Sequence, residues 1–534
     1  MSHKPRAMCP HIRISALTAV FLLSALGCAD QRKPAEFDAD ALLDRLARSH
    51  YARESGQFFL VQEDGAAFAH DRQRKIHYHA TPFRYDTRVP LVVYSPTEIA
   101  GRPRLVHEPV SPINISATCF DLLSVPRTKW ASADALPIEL DGRPKILALL
   151  ILDMLAYETY QDRLPSHPTF SRLEEDGIVF ENCDLDYLTT HTSISHAVLG
   201  TGTYPNVNGI STNFRLASHD PQVWRWHNYF EDGDPSRLLQ PTFADLHDAA
   251  VDNRAIVIGF SEHKKAIVPL TGHGVLHESG DRDLVLFQNL STGELMSGSV
   301  QREIPDYLKR YSPSRFISHL PQSGLEVSGW GPRSYGELKA HPLCVDYRKQ
   351  IIFDMLRNES PGSDEITDLV LINMKILDEI GHFIGTDSDI HKKAMKKLDG
   401  FTGELMSILG ELTGDNYLLI LTSDHGAGPL IGLGNPKRLR LERFLDELNR
   451  RYPGETGEET GRAIFRSIRH GHLWADDKLI DAAGYDREEM KRFMLGYPTI
   501  VAAFTEEEIR FRQKELFPGL DPRSLPYVYP GANP

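Results

Sequence analysis

Lys145-Ile146-Leu147-Ala148-Leu149-Leu150-Ile151-Leu152-Asp153 is an unbroken apolar run closed by a carboxylate. A strand covered on one face alternates apolar and polar residues, whereas a run this continuous needs cover on both faces. Residues 56–62, 89–94, 255–260, 368–373 and 417–422 read the same way. Between them, residues 243–250 and 391–412 carry helical periodicity, the second with Ala394, Leu398, Phe401, Leu405 and Leu409 on one face. Strands alternating with helices predict an α/β fold: a central, mostly parallel sheet flanked by helices, with ligands beyond the carboxyl ends of the strands. Residues 275–365 show no clear alternation and read as a cap or insertion, and residues 131–144 read as a surface connection.

Several of those strand ends carry chemistry. Asp153 closes the quoted run, Asp424-His425 closes the run at 417–422, and Asp378 and His382 follow the run at 368–373. Asp378 and His382 are spaced to share one face of a helical turn, where both could grip one ion. Asp424 and His425 can serve a single ion only if the chain turns sharply, which Gly426 permits. Taken singly, each has a plainer reading as a helix cap or a turn; together they predict a rim of hard and borderline metal ligands. Residues 190–210 are rich in hydroxyls and punctuated by glycine. A hydroxyl there is either a cap at a helix N-terminus or a nucleophile activated by a divalent ion.

Composition narrows the classes. The 534-residue chain is 41% hydrophobic, with 39 Gly and 34 Pro spread along it, which excludes a disordered, coiled-coil or collagen-like protein. Its formal net charge of −14 argues against binding duplex nucleic acid. Lys4, Arg6 and Arg13 precede an apolar run ending at Gly27-Cys28, the pattern of a secretory signal too short to span a bilayer. Ala25-Leu26-Gly27-Cys28 resembles a bacterial lipobox, with Cys28 as the lipidated first residue of a periplasmic, membrane-anchored protein; ordinary cleavage after Gly27 is the alternative. Beyond Cys28 only Cys119, Cys183 and Cys344 remain, which is neither a disulfide framework nor a zinc ribbon. Metal ligands here must be His and carboxylates.

In order along the chain, Thr192, His196, Thr201-Gly202, Pro205 and Gly209-Ile210 are followed by Asp378-Glu379-Ile380-Gly381-His382 with Gly385, and then by Asp424-His425-Gly426. With Asp153, these motifs resemble the alkaline phosphatase superfamily, in its branch of Thr-nucleophile phosphatases and type I phosphodiesterase/nucleotide pyrophosphatases. The resemblance implies an alkaline-phosphatase-like fold and hydrolysis of small phosphate esters by Thr192 through a phosphothreonine. It implies two zinc ions, or other divalent ions in their place. Asp153, Thr192, Asp424 and His425 would hold one, and Asp378, His382 and a late His the other. It also places Asn213 against the phosphoryl oxygens. A head-group transferase of the same superfamily and a catalytically silent binding protein are the alternatives.

The late His is where this chain departs from its relatives. Its expected surroundings do not follow Gly426, where only His470 and His472 occur; they stand instead at His79-Ala80-Thr81-Pro82-Phe83-Arg84-Tyr85-Asp86-Thr87-Arg88-Val89-Pro90. The chain therefore reads as circularly permuted. Residues 28–130 complete the catalytic domain, 131–144 join old end to old beginning, and 145–534 form its main part. His79 is then the third ligand, with His77 a minor alternative; ordinary order would use His470 or His472. A second departure concerns substrate. Where the branch carries Lys-x-Arg, this chain has Glu262-His263-Lys264, followed by Lys265-Ala266-Ile267. Lys264 would be the one remaining substrate cation and Glu262 would repel a dianion, so diester hydrolysis is expected to be at least comparable with monoester hydrolysis. No sulfatase signature is present.

Overall fold

The computed structural model describes residues 38–69, 77, 79–97, 99, 104–216, 226–274, 283–298, 302–320, 331–428, 437–454, 462–521 and 525. The proposed signal, its cleavage site and Cys28 lie outside them.

The Ile146–Leu152 strand sits in the middle of a nine-stranded sheet, parallel to Asp368–Met374 on one side and Tyr417–Thr422 on the other. All seven of its residues are buried. Successive side chains of a strand point to opposite faces, so Ile146, Ala148, Leu150 and Leu152 enter one apolar cluster and Leu147, Leu149 and Ile151 the other. Helices of the first cluster include Asp389–Thr413 and Leu343–Glu359; helices Pro112–Leu123 and Thr192–Thr201 lie in the second. Gly200 marks the crossing of Thr192–Thr201 with helix Lys264–Thr271, since a Cβ there would stand 2.2 Å from the Pro269 carbonyl oxygen. The α/β reading holds, with helices on both faces.

Register fixes the site. Leu152 lies opposite Met374, and Ile151 opposite Thr422. Asp153, Lys375 and Ser423-Asp424 therefore leave the sheet at one level of the same rim. Val257–Phe260 pairs parallel with Asp368–Met374, so Glu262 emerges beside them.

Three expectations need correction. The run at 56–62 forms the strand Phe58–Gln62, which lies in a separate four-stranded sheet, antiparallel to His472–Ala475 and Ile500–Thr505. Its continuous apolar character has the anticipated cause, because Phe58 and Leu60 enter one cluster and Phe59 and Val61 another. Cover on both faces does not fix strand direction. For the same reason Leu91–Tyr94, though inside the central sheet, runs antiparallel to Tyr417–Thr422 and Ile178–Phe180. The cap is also less separate than expected. Within 275–365, Leu284–Gln288 extends the central sheet in parallel with Val257–Phe260, and Leu343–Glu359 packs into the main core. Residues from Ala39 onward belong to one contact unit, and the described part of 39–130 contributes to all four apolar clusters.

Candidate metal and phosphate site

At the rim, ligand atoms of His79, Asp378 and His382 lie within 4.8 Å of one another, and so do those of Asp153, Asp378 and His425. All five residues are buried. Asp378 and His382 sit on the helix Ile376–Phe383, where His382 Nε2 is 3.1 Å from Asp378 Oδ1. Asp424 Oδ2 is 3.4 Å from His425 Nε2 and 3.8 Å from His196 Nδ1.

The imidazoles are oriented from behind. His79 Nδ1 is 2.7 Å from the Thr190 carbonyl, His382 Nδ1 is 3.1 Å from that of His77, and His425 Nδ1 is 2.9 Å from that of Gly426. A carbonyl only accepts, so each Nδ1 carries the proton and each Nε2 keeps a lone pair for the rim, the form in which histidine binds metal. Asp424 Oδ2 and His425 Nε2 are buried without a hydrogen-bond partner. Buried polar atoms left so are costly, and their donor chemistry fits a divalent cation. Burial, with the charge of Asp424 beside it, pushes the Asp153 carboxyl above the usual carboxylate range. His196 is held by burial down to about 4.

The segment carrying His79 is tied to the rest by Asp86. Its Oδ2 accepts the Thr81 N–H at 2.7 Å and its Oδ1 accepts the Thr190 hydroxyl at 2.9 Å; Thr190 Oγ1 in turn accepts the Ala80 N–H at 2.8 Å. The Asp86 carbonyl accepts the Gly426 N–H at 2.7 Å. Gly426 is needed for this approach rather than for a left-handed turn, because a Cβ on it would lie 2.2 Å from the Tyr85 carbonyl oxygen. The sharp turn falls instead at Met154, whose φ is +65° and whose N–H donates to Asp424 Oδ1 at 3.1 Å.

Thr192 opens the helix Thr192–Thr201 and faces a cavity of about 240 Å³. Asn213 lines the same cavity, with its Oδ1 accepting the Ser193 N–H at 3.1 Å. That bond identifies the carboxamide oxygen and turns the Nδ2 donors away from it. Among the rival histidines, His77 Nδ1 lies 2.7 Å from the Gly428 carbonyl, and His77 is in neither of the donor groups found among the described residues. His472 is buried in the antiparallel sheet, its Nδ1 accepting the Gly56 N–H at 3.3 Å. His470 reaches the cavity on the hairpin before His472, where His470 and Gly471 both have positive φ. It packs against His191 at 3.8 Å between ring centroids, whereas His79 stacks on His425 at 3.9 Å. His79, not His470 or His472, is the histidine brought to Asp378 and His382.

Two readings change. Lys264 does not line the cavity; Lys265 does, because neighbouring residues at the start of helix Lys264–Thr271 point about 100° apart. Glu262 does not face substrate as a bare charge. It is 2% exposed, its carboxylate pairs with the buried Arg348 guanidinium, and it accepts the Lys375 N–H at 2.9 and 3.0 Å. The sequence reading missed Lys375, whose Nζ stands 2.9 Å from Asp153 Oδ1, 2.8 Å from Asp378 Oδ2 and 3.2 Å from Thr192 Oγ1. Burial works against its charge, but Asp153 and Asp378 hold its pKa above the ordinary lysine value. The one available signal was its place directly after a strand in Asn373-Met374-Lys375, three residues before Asp378.

Paired carboxylates and histidines thus stand at the carboxyl ends of a largely parallel sheet, facing a hydroxyl on a helix N-terminus. The chain belongs to the type I phosphodiesterase / nucleotide pyrophosphatase family, whose model matches residues 147–491. It is 20% identical over 423 residues to alkaline phosphatase PafA of Elizabethkingia meningoseptica, covering 69% of this chain and 76% of that protein. It is 23% identical over 341 residues to a calcium-transporting ATPase of Myroides odoratus, covering 53% and 60%. The crystal structure of wild-type PafA superposes with a TM-score of 0.58 at 17% identity, over 69% of this chain and 80% of that one.

Proposed function

We propose that the protein hydrolyses small phosphate esters with Thr192 as nucleophile, holding two zinc or similar divalent ions. The observation that carries this is the place of Thr192: a hydroxyl on a helix N-terminus, on the wall of a cavity shared with His79, Asp378 and His382. Asp153, Thr192, Asp424 and His425 would hold one ion, and His79, Asp378 and His382 the other. When bound, the ions would lower the pKa of the Thr192 hydroxyl and offset charge on the phosphoryl oxygens. Thr192 Oγ then forms a bond to phosphorus as the bond to the leaving oxygen breaks, the hydroxyl proton ending on the leaving oxygen. Water next attacks the phosphothreonine, releasing phosphate or a monoester and returning a proton to Thr192. Asn213 Nδ2 is placed to donate to a phosphoryl oxygen, and the helix N-terminus favours negative charge there.

Glu262 does not disfavour dianions, because its charge is matched by Arg348. Lys265, Lys339 and Lys375 line the cavity together with Asp378 and Glu379, which pair with Lys375 and Lys339, so monoesters and diesters both stand as proposed substrates. We also read the chain as permuted: the family match starts at 147, and His79 and the Leu91–Tyr94 strand enter the rim and sheet from outside it. Export and a lipid anchor at Cys28 belong to the same proposal, on the sequence pattern alone. The test is turnover of p-nitrophenyl phosphate and bis-p-nitrophenyl phosphate by the wild type and by Thr192→Ala. Both substrates should be cleaved by the first and neither by the second; full activity in purified Thr192→Ala would overturn the reading.

A further inference from the structure

We infer that Lys375 is a catalytic residue of this site, the ammonium that holds a phosphoryl oxygen beside Thr192; the inference rests on the Thr192 reading above. Lys375 follows the Asp368–Met374 strand directly, its side chain is 2% exposed, and it forms part of the cavity wall. An ammonium has three N–H donors. One is shared between the two oxygens of Asp153, at 2.9 and 3.0 Å, one goes to Asp378, at 2.8 Å, and the third points at Thr192 Oγ1, 3.2 Å away. Each carboxylate has about four lone-pair sites, so serving the lysine leaves acceptor capacity for other ligands.

The third donor has a use at each stage. Before reaction it stabilises negative charge growing on Thr192 Oγ. Once that oxygen is bonded to phosphorus it becomes an ester bridge and a weak acceptor. The strong acceptor within reach is then a non-bridging oxygen on the same phosphorus. When water displaces Thr192, the charge returns to Oγ and so does the hydrogen bond. Lys375 gives up no proton in either step.

Lysine is a flexible residue, and here its backbone is pinned. Glu262 accepts the Lys375 N–H with both carboxylate oxygens, at 2.9 and 3.0 Å, and is itself held by Arg348. The residue that looked like a lost substrate cation is thus the anchor of another one, delivered from a different strand.

The test uses metal-loaded protein and two readouts that need no turnover: bound metal by elemental analysis, and the affinity for inorganic phosphate by calorimetry. Lys375→Met should keep the wild-type metal content and bind phosphate about ten- to hundredfold more weakly, the loss expected for a charge-assisted hydrogen bond. Lys375→Arg, which keeps the charge but not its position, should recover only part of the loss. If Lys375→Met does not fold, Lys375→Gln decides by the same two measurements. Wild-type phosphate affinity in the neutral variant, or a loss that merely follows loss of metal, would overturn the inference. Failure of the nucleophile reading is separately visible, as retained turnover in Thr192→Ala.

Discussion

Removing the His79 imidazole tests whether the segment before residue 130 completes the catalytic rim. The ring is held by the Thr190 carbonyl at 2.7 Å from Nδ1, and Nε2 faces Asp378 Oδ1 at 3.8 Å, the span of two ligands across one ion. His79→Ala leaves that ion only Asp378 and His382. Loss of an outer partner of a metal ligand already costs about 10–100-fold in affinity, so loss of a direct ligand should exceed 100-fold, or about 2.7 kcal/mol. The group that also contains Asp153 and His425 keeps its donors. Elemental analysis after exhaustive dialysis should therefore find one tightly held ion where the wild type holds two, with calorimetric titration showing the second site weakened beyond 100-fold. His77→Ala and His472→Ala, whose rings face Gly428 and Gly56, should bind as wild type. Two wild-type ions in His79→Ala, or a selective loss in His470→Ala, would refute the assignment and with it the permuted reading.

Thr192→Ser should keep a measurable part of the turnover lost in Thr192→Ala, because the hydroxyl survives; equal inactivity of the two would count against it. Asp424→Asn should weaken one ion and Asp378→Asn should disturb both, since Asp378 belongs to both donor groups; metal titration reads the difference. Gly426→Ala forces a Cβ to 2.2 Å from the Tyr85 carbonyl oxygen and should cost about 1–3 kcal/mol in urea unfolding while lowering activity. His391 is buried, accepts from Arg163 Nη1 at 2.7 Å and is pushed by burial down to about 3. The unfolded chain, with an ordinary imidazole near 6.5, then binds more protons between about pH 3 and 6.5. Stability should fall as pH drops through that window, by at most about 1.4 kcal/mol per pH unit from this residue, and His391→Gln should flatten the slope.

Much of this arrangement was legible because it depends on local patterns. Two-sided burial writes itself into an unbroken run such as 146–152, and carboxyl ends are where such a sheet leaves backbone and side chains free to converge. The motif around His79 could be placed because its Pro82, Tyr85-Asp86 and Val89-Pro90 resemble the family's late-His segment, and the structure shows what Asp86 does there: it ties Thr81 to Thr190. Direction was not legible. Phe58–Gln62 and Leu91–Tyr94 are as apolar as the parallel strands, and what sets them antiparallel is the partner each finds far along the chain.

Charge was the hardest quantity to read. Glu262 in sequence is a negative residue where relatives carry a positive one, and taken alone it argues for a site that repels dianions. In space its charge is matched by Arg348, a residue on the helix Leu343–Glu359 inside the stretch that resembled a cap. The same carboxylate fixes the backbone of Lys375, whose ammonium reaches Asp153, Asp378 and Thr192. The electrostatic sign of a buried site follows from such closed sets of partners, not from the residue at one aligned position. A substitution at 262 alone, such as Glu262→Lys, would place a second cation against Arg348 in a buried pocket and release Lys375. It should therefore destabilise the protein and lower turnover of monoesters and diesters together. A clean shift of the ratio toward monoesters, with stability unchanged, would mean that residue 262 faces substrate after all.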